Sequence, residues 1–226
     1  MKRGKKYNES VKKYNADKTY DLNEALTIVK SMAYAKFDET VELSVKLNLK
    51  KSQSVRDTVV LPNQFRGEKK ILVFCKPEKE KEAQEAGATF IGAEELIEKV
   101  KGGWTDFDVA VATPDMMKDV GKLGMVLGRK GLMPNPKTGT VTFDLKGTLA
   151  ELKKGRVEFR ADKTGVMHLA VGKVSMEPGL VEENIKAVIT EVKRKRPIDA
   201  KGEFIRTVSV ASTMSPGVWV AIKDQE

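Results

Sequence analysis

Four polar side chains, Thr40, Glu42, Ser44 and Lys46, alternate with Val41, Leu43, Val45, Leu47 and Leu49 in a run whose period of two is that of a β-strand. Such a strand buries one face and turns hydroxyl, carboxylate and ammonium groups outward about 6.6–6.8 Å apart, near the spacing of nucleotides along a chain. The carboxylate repels phosphate, yet it can accept from a ribose 2′-hydroxyl or a base amino group. An ordinary solvated sheet face reads the same way. The tail Ser212-Thr213-Met214-Ser215-Pro216-Gly217 has two readings as well. It suits a close approach to a nucleic-acid groove, with Ser212 and Thr213 donating and Met214 packing on a sugar or base, or a turn with one core methionine. The Gly/Pro-rich loop 128–140 holds Arg129, Lys130 and Lys137, cations that with backbone amides suit phosphate, although loops of this composition are common. The run Lys193–Arg196 ends a helix, where it complements the dipole.

Several chemistries are missing. Of the Gly-Lys pairs, those at Gly4, Gly121 and Gly172 are followed by Lys6, Leu123 and Val174, so none completes the phosphate loop G-x-x-x-x-G-K-[ST]. No G-x-G-x-x-G follows the apolar run 71–75, and neither G-x-S-x-G nor H-E-x-x-H occurs. The single histidine, His168, sits within an expected strand with no nucleophile assigned to it, which favours a structural or RNA-contacting role over general-base catalysis. The single cysteine, Cys75, closes an apolar strand as an inert core thiol and precludes a disulfide framework. An enzyme is not expected.

The elements that must carry these residues follow from composition and period. The chain has 226 residues, 40% hydrophobic and 32% charged, with a mean hydropathy of −0.38. That is enough to bury a core, and no apolar run approaches the ~20 residues of a membrane span. Lys and Arg number 41 against 32 Asp and Glu, a net charge of +9 that points to a polyanionic partner. Aromatics are only 6%, too few for a surface of many stacking rings. Residues 1–18 read as a basic extended arm with a possible short helix around Val11. Leu22, Ala25, Leu26, Val29, Met32 and Ala33 line one helical face behind Asp21 and Glu24. Between 67 and 156, short apolar strands (71–75, around 90, 108–113) alternate with helices, the pattern of a mostly parallel sheet covered on both faces. Residues 114–128 read as helical. Residues 156–174 read as a hairpin turning at Asp162–Gly165, 178–196 as a helix and 203–214 as a last strand. The middle segment holds 16 basic and 14 acidic residues, so most of the excess charge lies outside it.

The motifs FDETVEL (37–43), LGRKGLMPNPKTGTV (127–141), FRADKTGVMHLAVGK (159–173) and KGEFIRTVSVASTM (201–214), with the basic arm, resemble the bacterial ribosomal protein L-one family over essentially the whole chain. The resemblance implies an α+β terminal domain split between residues 1–66 and 157–226, with a Rossmann-like α/β domain, 67–156, inserted in it. It implies a structural constituent of the large ribosomal subunit, in the cytoplasm, bound to the stalk region of large-subunit ribosomal RNA. It further implies assistance in releasing deacylated tRNA from the exit site and repression of the protein's own operon mRNA. The matching positions for RNA contact are Lys36, Phe37, Thr40, Glu42, Ser44, Lys46, His168, Lys173, Ser212, Thr213 and Met214, with Arg129, Lys130 and Lys137 as a secondary contact. No cofactor, metal or membrane is expected, and the free protein is expected to be a monomer. The chain departs from the family pattern at Ser215, where glycine is usual, and at Gly128, which precedes Arg129 directly instead of through Gly-Pro. Two rivals rest on the residues alone. One is a generic polyanion binder, and the other an enzyme that holds a nucleotide on the parallel sheet.

Overall fold

The computed structural model describes residues 3–50, 53–67, 69–197 and 202–221. Helix α1 (Lys5–Val11) opens the chain, followed by β1 (Thr19–Tyr20), α2 (Leu22–Met32), β2 (Thr40–Leu47) and β3 (Arg56–Val60). The middle runs β4 (Ile71–Phe74), α3 (Pro77–Glu85), β5 (Phe90–Gly92), α4 (Glu94–Lys101), β6 (Val109–Ala112), α5 (Met117–Val120), α6 (Gly124–Leu127) and α7 (Leu145–Lys153). The chain closes with β7 (Arg156–Arg160), β8 (Val166–Lys173), α8 (Pro178–Arg194), β9 (Ile205–Ser212) and β10 (Val218–Val220). It divides into two compact units, Met1–Phe65 with Glu158–Glu226, and Arg66–Val157.

The first unit is built on a five-stranded sheet in the order β1-β10-β9-β2-β8, in which β2 runs antiparallel to both neighbours. The alternation in β2 sends Val41, Leu43, Val45 and Leu47 to the buried face. There they join Met167, Leu169 and Val171 of β8 and Val208 and Val210 of β9 as buried residues. Helix α2 packs against β9 and β10, and α8 against β8, with Leu26, Val29 and Met32 and then Val181, Ile185, Val188 and Val192 buried. Burying each such side chain contributes about 1.5–3 kcal/mol, so the apolar stripes of two helices and the odd-numbered face of β2 fix which way the sheet faces. Gly172 of β8 lets α8 approach closely, since a Cβ there would lie 2.9 Å from a Val181 methyl.

The second unit is a three-stranded parallel sheet in the order β5-β4-β6. Successive residues of β4 feed opposite cores. Leu72 and Phe74 pack with Leu96, Val100 and Phe107, whereas Ile71 and Val73 pack with Cys75, Ala83, Leu145 and Leu149. Both faces are covered, as the uninterrupted apolar runs require.

Three local expectations are sharpened or corrected. Of the basic arm, residues 5–11 form α1, the short helix expected around Val11, so the arm is not extended throughout, and residues 19–20 after it add an edge strand parallel to β10. Ser10 anchors α1 by donating its hydroxyl to the Met32 carbonyl at 3.1 Å. Strands β7 and β8 do not form a hairpin, since β7 pairs with β3 and β8 with β2. The turn itself exists: Asp162 Oδ1 accepts from the Thr164 and Val166 amides at 2.8 Å, and Gly165 supplies a φ of 77°. Past that turn the chain changes sheets. The stretch 114–127 is helical as expected, in contiguous short pieces that alternate between 3-10 and α geometry, two of which open at Gly121 and Gly124.

Candidate nucleic-acid interface

The outer face of the five-stranded sheet is assembled by register. Glu42 stands opposite Ala170 on β8 and Ala211 on β9, Ser44 opposite His168 and Ser209, and Lys46 opposite Val166 and Thr207. The exposed Glu42 carboxylate thus stands between two small neighbours. Ser44 Oγ and His168 Nδ1 are hydrogen-bonded at 2.9 Å. The Lys46 ammonium donates to the Thr164 carbonyl at 2.6 Å, which steadies it at the end of the strand. Beyond a register shift between Val41 and Glu42, Thr40 pairs with Lys173, whose ammonium donates to the Thr40 hydroxyl at 3.1 Å and the Asp38 carbonyl at 3.2 Å. Asp38 in turn accepts from the Ser175 amide and hydroxyl.

The edge of this face is held by a carboxylate beneath it. Glu39 is 2% exposed and accepts four hydrogen bonds. Its Oε1 takes the amides of Tyr34 at 3.0 Å and Ala35 at 2.8 Å, and its Oε2 takes the Ser212 hydroxyl and the Met214 amide at 3.2 Å. Burial pushes the Glu39 carboxyl upward, but the Ser212 hydroxyl and the three backbone amides outweigh it and hold the group below the usual glutamate range. One buried anion thereby ties the α2–β2 connection to the β9–β10 turn. Thr213 completes the join by accepting from the Thr40 amide at 3.0 Å, and the Tyr34 hydroxyl donates to the Met214 carbonyl at 3.0 Å.

The structure brings Thr40, Glu42, Ser44, Lys46, His168, Lys173, Thr213 and Met214 onto this one face or its edge. Lys36 is exposed beside Phe37, which is 58% exposed and so is no core aromatic; Met214 is 46% exposed. Ser212 is corrected. It is 3% exposed and its hydroxyl is spent on Glu39, because neighbouring strand residues face opposite ways and only Thr213 of the pair points outward. Ser212 positions the surface and does not touch what lies on it. Sequence reasoning missed Glu39, and also Ala170, Thr207, Ser209 and Ala211, which lack distinctive chemistry and belong to the face only through the pairing of β8 and β9 with β2. The usual glycine is not needed at Ser215, whose hydroxyl accepts from the Ser212 amide at 2.9 Å.

On the second unit, Arg129, Lys130 and Lys137 are all exposed. Asn135 organises their loop by accepting the Lys137 amide at 2.9 Å, and Lys130 donates to the Thr105 hydroxyl. Cys75 is buried, and burial pushes its thiol up to about 11. Among the described residues no group of His, Cys, Asp and Glu is placed to hold a metal, and no helix is long and apolar enough to cross a membrane.

Comparison with known proteins identifies the family. The profile of the Ribosomal protein L1p/L10e family matches residues 29–216. The chain is 65% identical over 223 residues to the large ribosomal subunit protein uL1 of Treponema denticola, covering 99% of each chain. It is 58% identical over 226 residues to that of Treponema pallidum, covering all of both, and 56% identical over 217 residues to that of Borrelia hermsii, covering 96% of this chain and 97% of the other. A profile spanning both units and relatives matched from end to end leave one assignment: the chain belongs to the Ribosomal protein L1p/L10e family.

Proposed function

We propose that this non-catalytic chain is a structural constituent of the large ribosomal subunit, working in the cytoplasm, and that it binds the stalk region of large-subunit ribosomal RNA through the outer face of its five-stranded sheet. Residues 1–66 and 157–226 form the RNA-binding domain, and 67–156 an inserted Rossmann-like α/β domain. The observation that carries the reading is the exposed Glu42 carboxylate between Ala170 and Ala211, flanked by half-buried hydroxyls and cations. Small residues let a sugar edge approach, Glu42 accepts a 2′-hydroxyl or base amino proton, and Thr213 and Met214 pack at the rim. Lys36, Lys46 and Lys173 supply the salt-dependent part of the affinity. On the same surface the free monomer captures its own operon mRNA and represses translation, and on the ribosome the chain assists release of deacylated tRNA. Arg129, Lys130 and Lys137 form a secondary phosphate contact.

Fluorescence-anisotropy titration with a stalk-region RNA fragment, a control hairpin of equal length and tRNA, at two salt concentrations, tests this. Preference for the stalk fragment at the higher salt is expected. Lys36→Gln flattens the salt slope by about one unit, whereas Thr213→Val costs about 1–3 kcal/mol and leaves the slope unchanged. Equal binding of all three RNAs that collapses with salt reduces the protein to a generic polyanion binder and refutes the site.

A further inference from the structure

Trp219 places a partly exposed indole on a strand of the five-stranded sheet. It lies at the centre of β10 and is 43% exposed, while its neighbours Val218 and Val220 are buried. Register places it on the outer face, since Trp219 pairs with Ser209 and Thr19, Ser209 pairs with Ser44, and Ser44 with His168. His168, Ser44, Ser209, Trp219 and Thr19 therefore form one transverse row across all five strands. Two strand spacings, about 9–10 Å, separate Trp219 from Ser44, a distance that one or two nucleotides span. Beside the indole lies a cavity of about 640 Å³, bounded by Trp219, Thr19, Thr207, Arg206, Lys193 and Arg196. Its volume falls in the range that holds a small ligand. Among the described residues its wall carries three cations and one carboxylate, Glu203, with Arg196 donating to the Gly202 carbonyl and Arg206 to the Asn48 side chain.

We propose that this end of the sheet is a nucleotide subsite, where Trp219 stacks on one unpaired base of the bound RNA and Lys193, Arg196 and Arg206 face its phosphates. The inference rests on the RNA-binding reading of the same face. It assigns a task to Trp219, Lys193 and Arg196, which lie outside the motifs that carry the family resemblance. Stacking on an aromatic ring tolerates any base, so the subsite adds affinity for an unstacked nucleotide and leaves the choice of sequence to Glu42 and its neighbours.

The test uses the full chain in a Trp104→Phe background. Trp104 is the other of the two tryptophans and packs edge-on against Phe90, so phenylalanine preserves its aromatic contact and leaves Trp219 as the single indole. Titration with the stalk-region fragment is expected to quench the Trp219 emission. Trp219→Ala is expected to weaken binding about 5- to 150-fold, with Trp219→Phe retaining most of the affinity. Unquenched emission in a complex that still prefers the stalk fragment, or a folded Trp219→Ala protein that binds it as tightly as the parent, overturns the subsite and leaves the sheet-face reading standing. A parent protein that shows no preference for the stalk fragment overturns both. The emission readout needs no substitution at Trp219, so it decides the matter even where Trp219→Ala fails to fold.

Discussion

Glu39→Gln keeps the size of the side chain and removes its charge, which isolates what the buried anion does. All four of its partners donate. An amide oxygen turned toward the Tyr34 and Ala35 amides keeps two of the bonds but without charge assistance, a loss of about 1 kcal/mol each. The amide nitrogen then faces the Ser212 hydroxyl, which can rotate to accept, and the Met214 N–H, which cannot. That donor-against-donor contact costs about another 1–3 kcal/mol, at the low end because the 3.2 Å bond lies close to solvent at the exposed Met214. Flipping the amide sets it against two backbone donors and is worse. The expected loss is about 3 kcal/mol in the unit that contains the five-stranded sheet.

Urea unfolding followed by Trp219 emission in the Trp104→Phe background reads that unit by itself, and with m near 1–3 kcal/mol/M the midpoint at pH 7 falls by roughly 1–3 M. The acid side supplies an internal control. Because the folded Glu39 carboxyl is held below its usual range, its stabilisation is complete above the unfolded pKa of about 4.3 and disappears as pH falls through the lower folded value. The stability gap between parent and variant must therefore narrow below about pH 4. A midpoint unchanged at pH 7, or a gap that persists undiminished at pH 2–3 while both proteins still fold, would refute the assignment of Glu39 as the tie between the two segments.

Asn184 is fully buried in α8 and donates to the Val171 carbonyl at 2.8 Å and the Asn63 carbonyl at 2.9 Å, while accepting from the Asn63 amide at 2.9 Å. Asn184→Ala leaves those groups without a side-chain partner and should cost about 2–4 kcal/mol in the same unfolding assay; a loss under about 1 kcal/mol would show that water replaces the amide. Cys75, its thiol pushed up to about 11 by burial and by the nearby Glu80, should resist a thiol reagent at pH 8 in the native chain and react fully in urea. Ionisation alone slows it about 200-fold relative to an ordinary cysteine, and immediate labelling of the folded protein contradicts a buried site.

The alternation of β2 was legible at the level of single residues, and it holds more than its polar face. Carried one step back from Thr40, the same parity puts Glu39 on the buried side, where a carboxylate must be surrounded by donors. Carried along 208–213, it turns Ser212 inward and Thr213 outward. Both ends of the Glu39–Ser212 hydrogen bond thus lay in the pattern of two segments. That they meet depends on β9 pairing with β2, a contact across more than 160 residues that no local period encodes. The exchange of partners at Asp162–Gly165 was hidden for a similar reason: a turn signal shows that the chain reverses, and the sheet each arm joins is decided by which edges remain open. The parallel strands of the second unit were easier, since an apolar run followed by a charged helix leaves few other ways to bury both faces.

Glu39 and Glu42 show how position divides the work between like side chains. They are three residues apart in one segment, so strand parity sends one inward and the other outward. Inside, the carboxylate is saturated by the protein's own donors, and its charge serves to hold the Thr213–Met214 turn against the end of β2. Outside, the second carboxylate is exposed with alanine on each side, its acceptor capacity turned toward solvent. The turn that Glu39 fixes needs no special backbone, since among the described residues only glycines take a positive φ, and Ser215 adds a bond from its hydroxyl where a glycine has none to make. The geometry of the outer face is therefore set from beneath, by groups that do not reach it. Substitutions at Glu39 or Ser212 should then change affinity through the shape of the rim, and those at Lys36 or Lys173 through charge, a division that the salt dependence of binding separates.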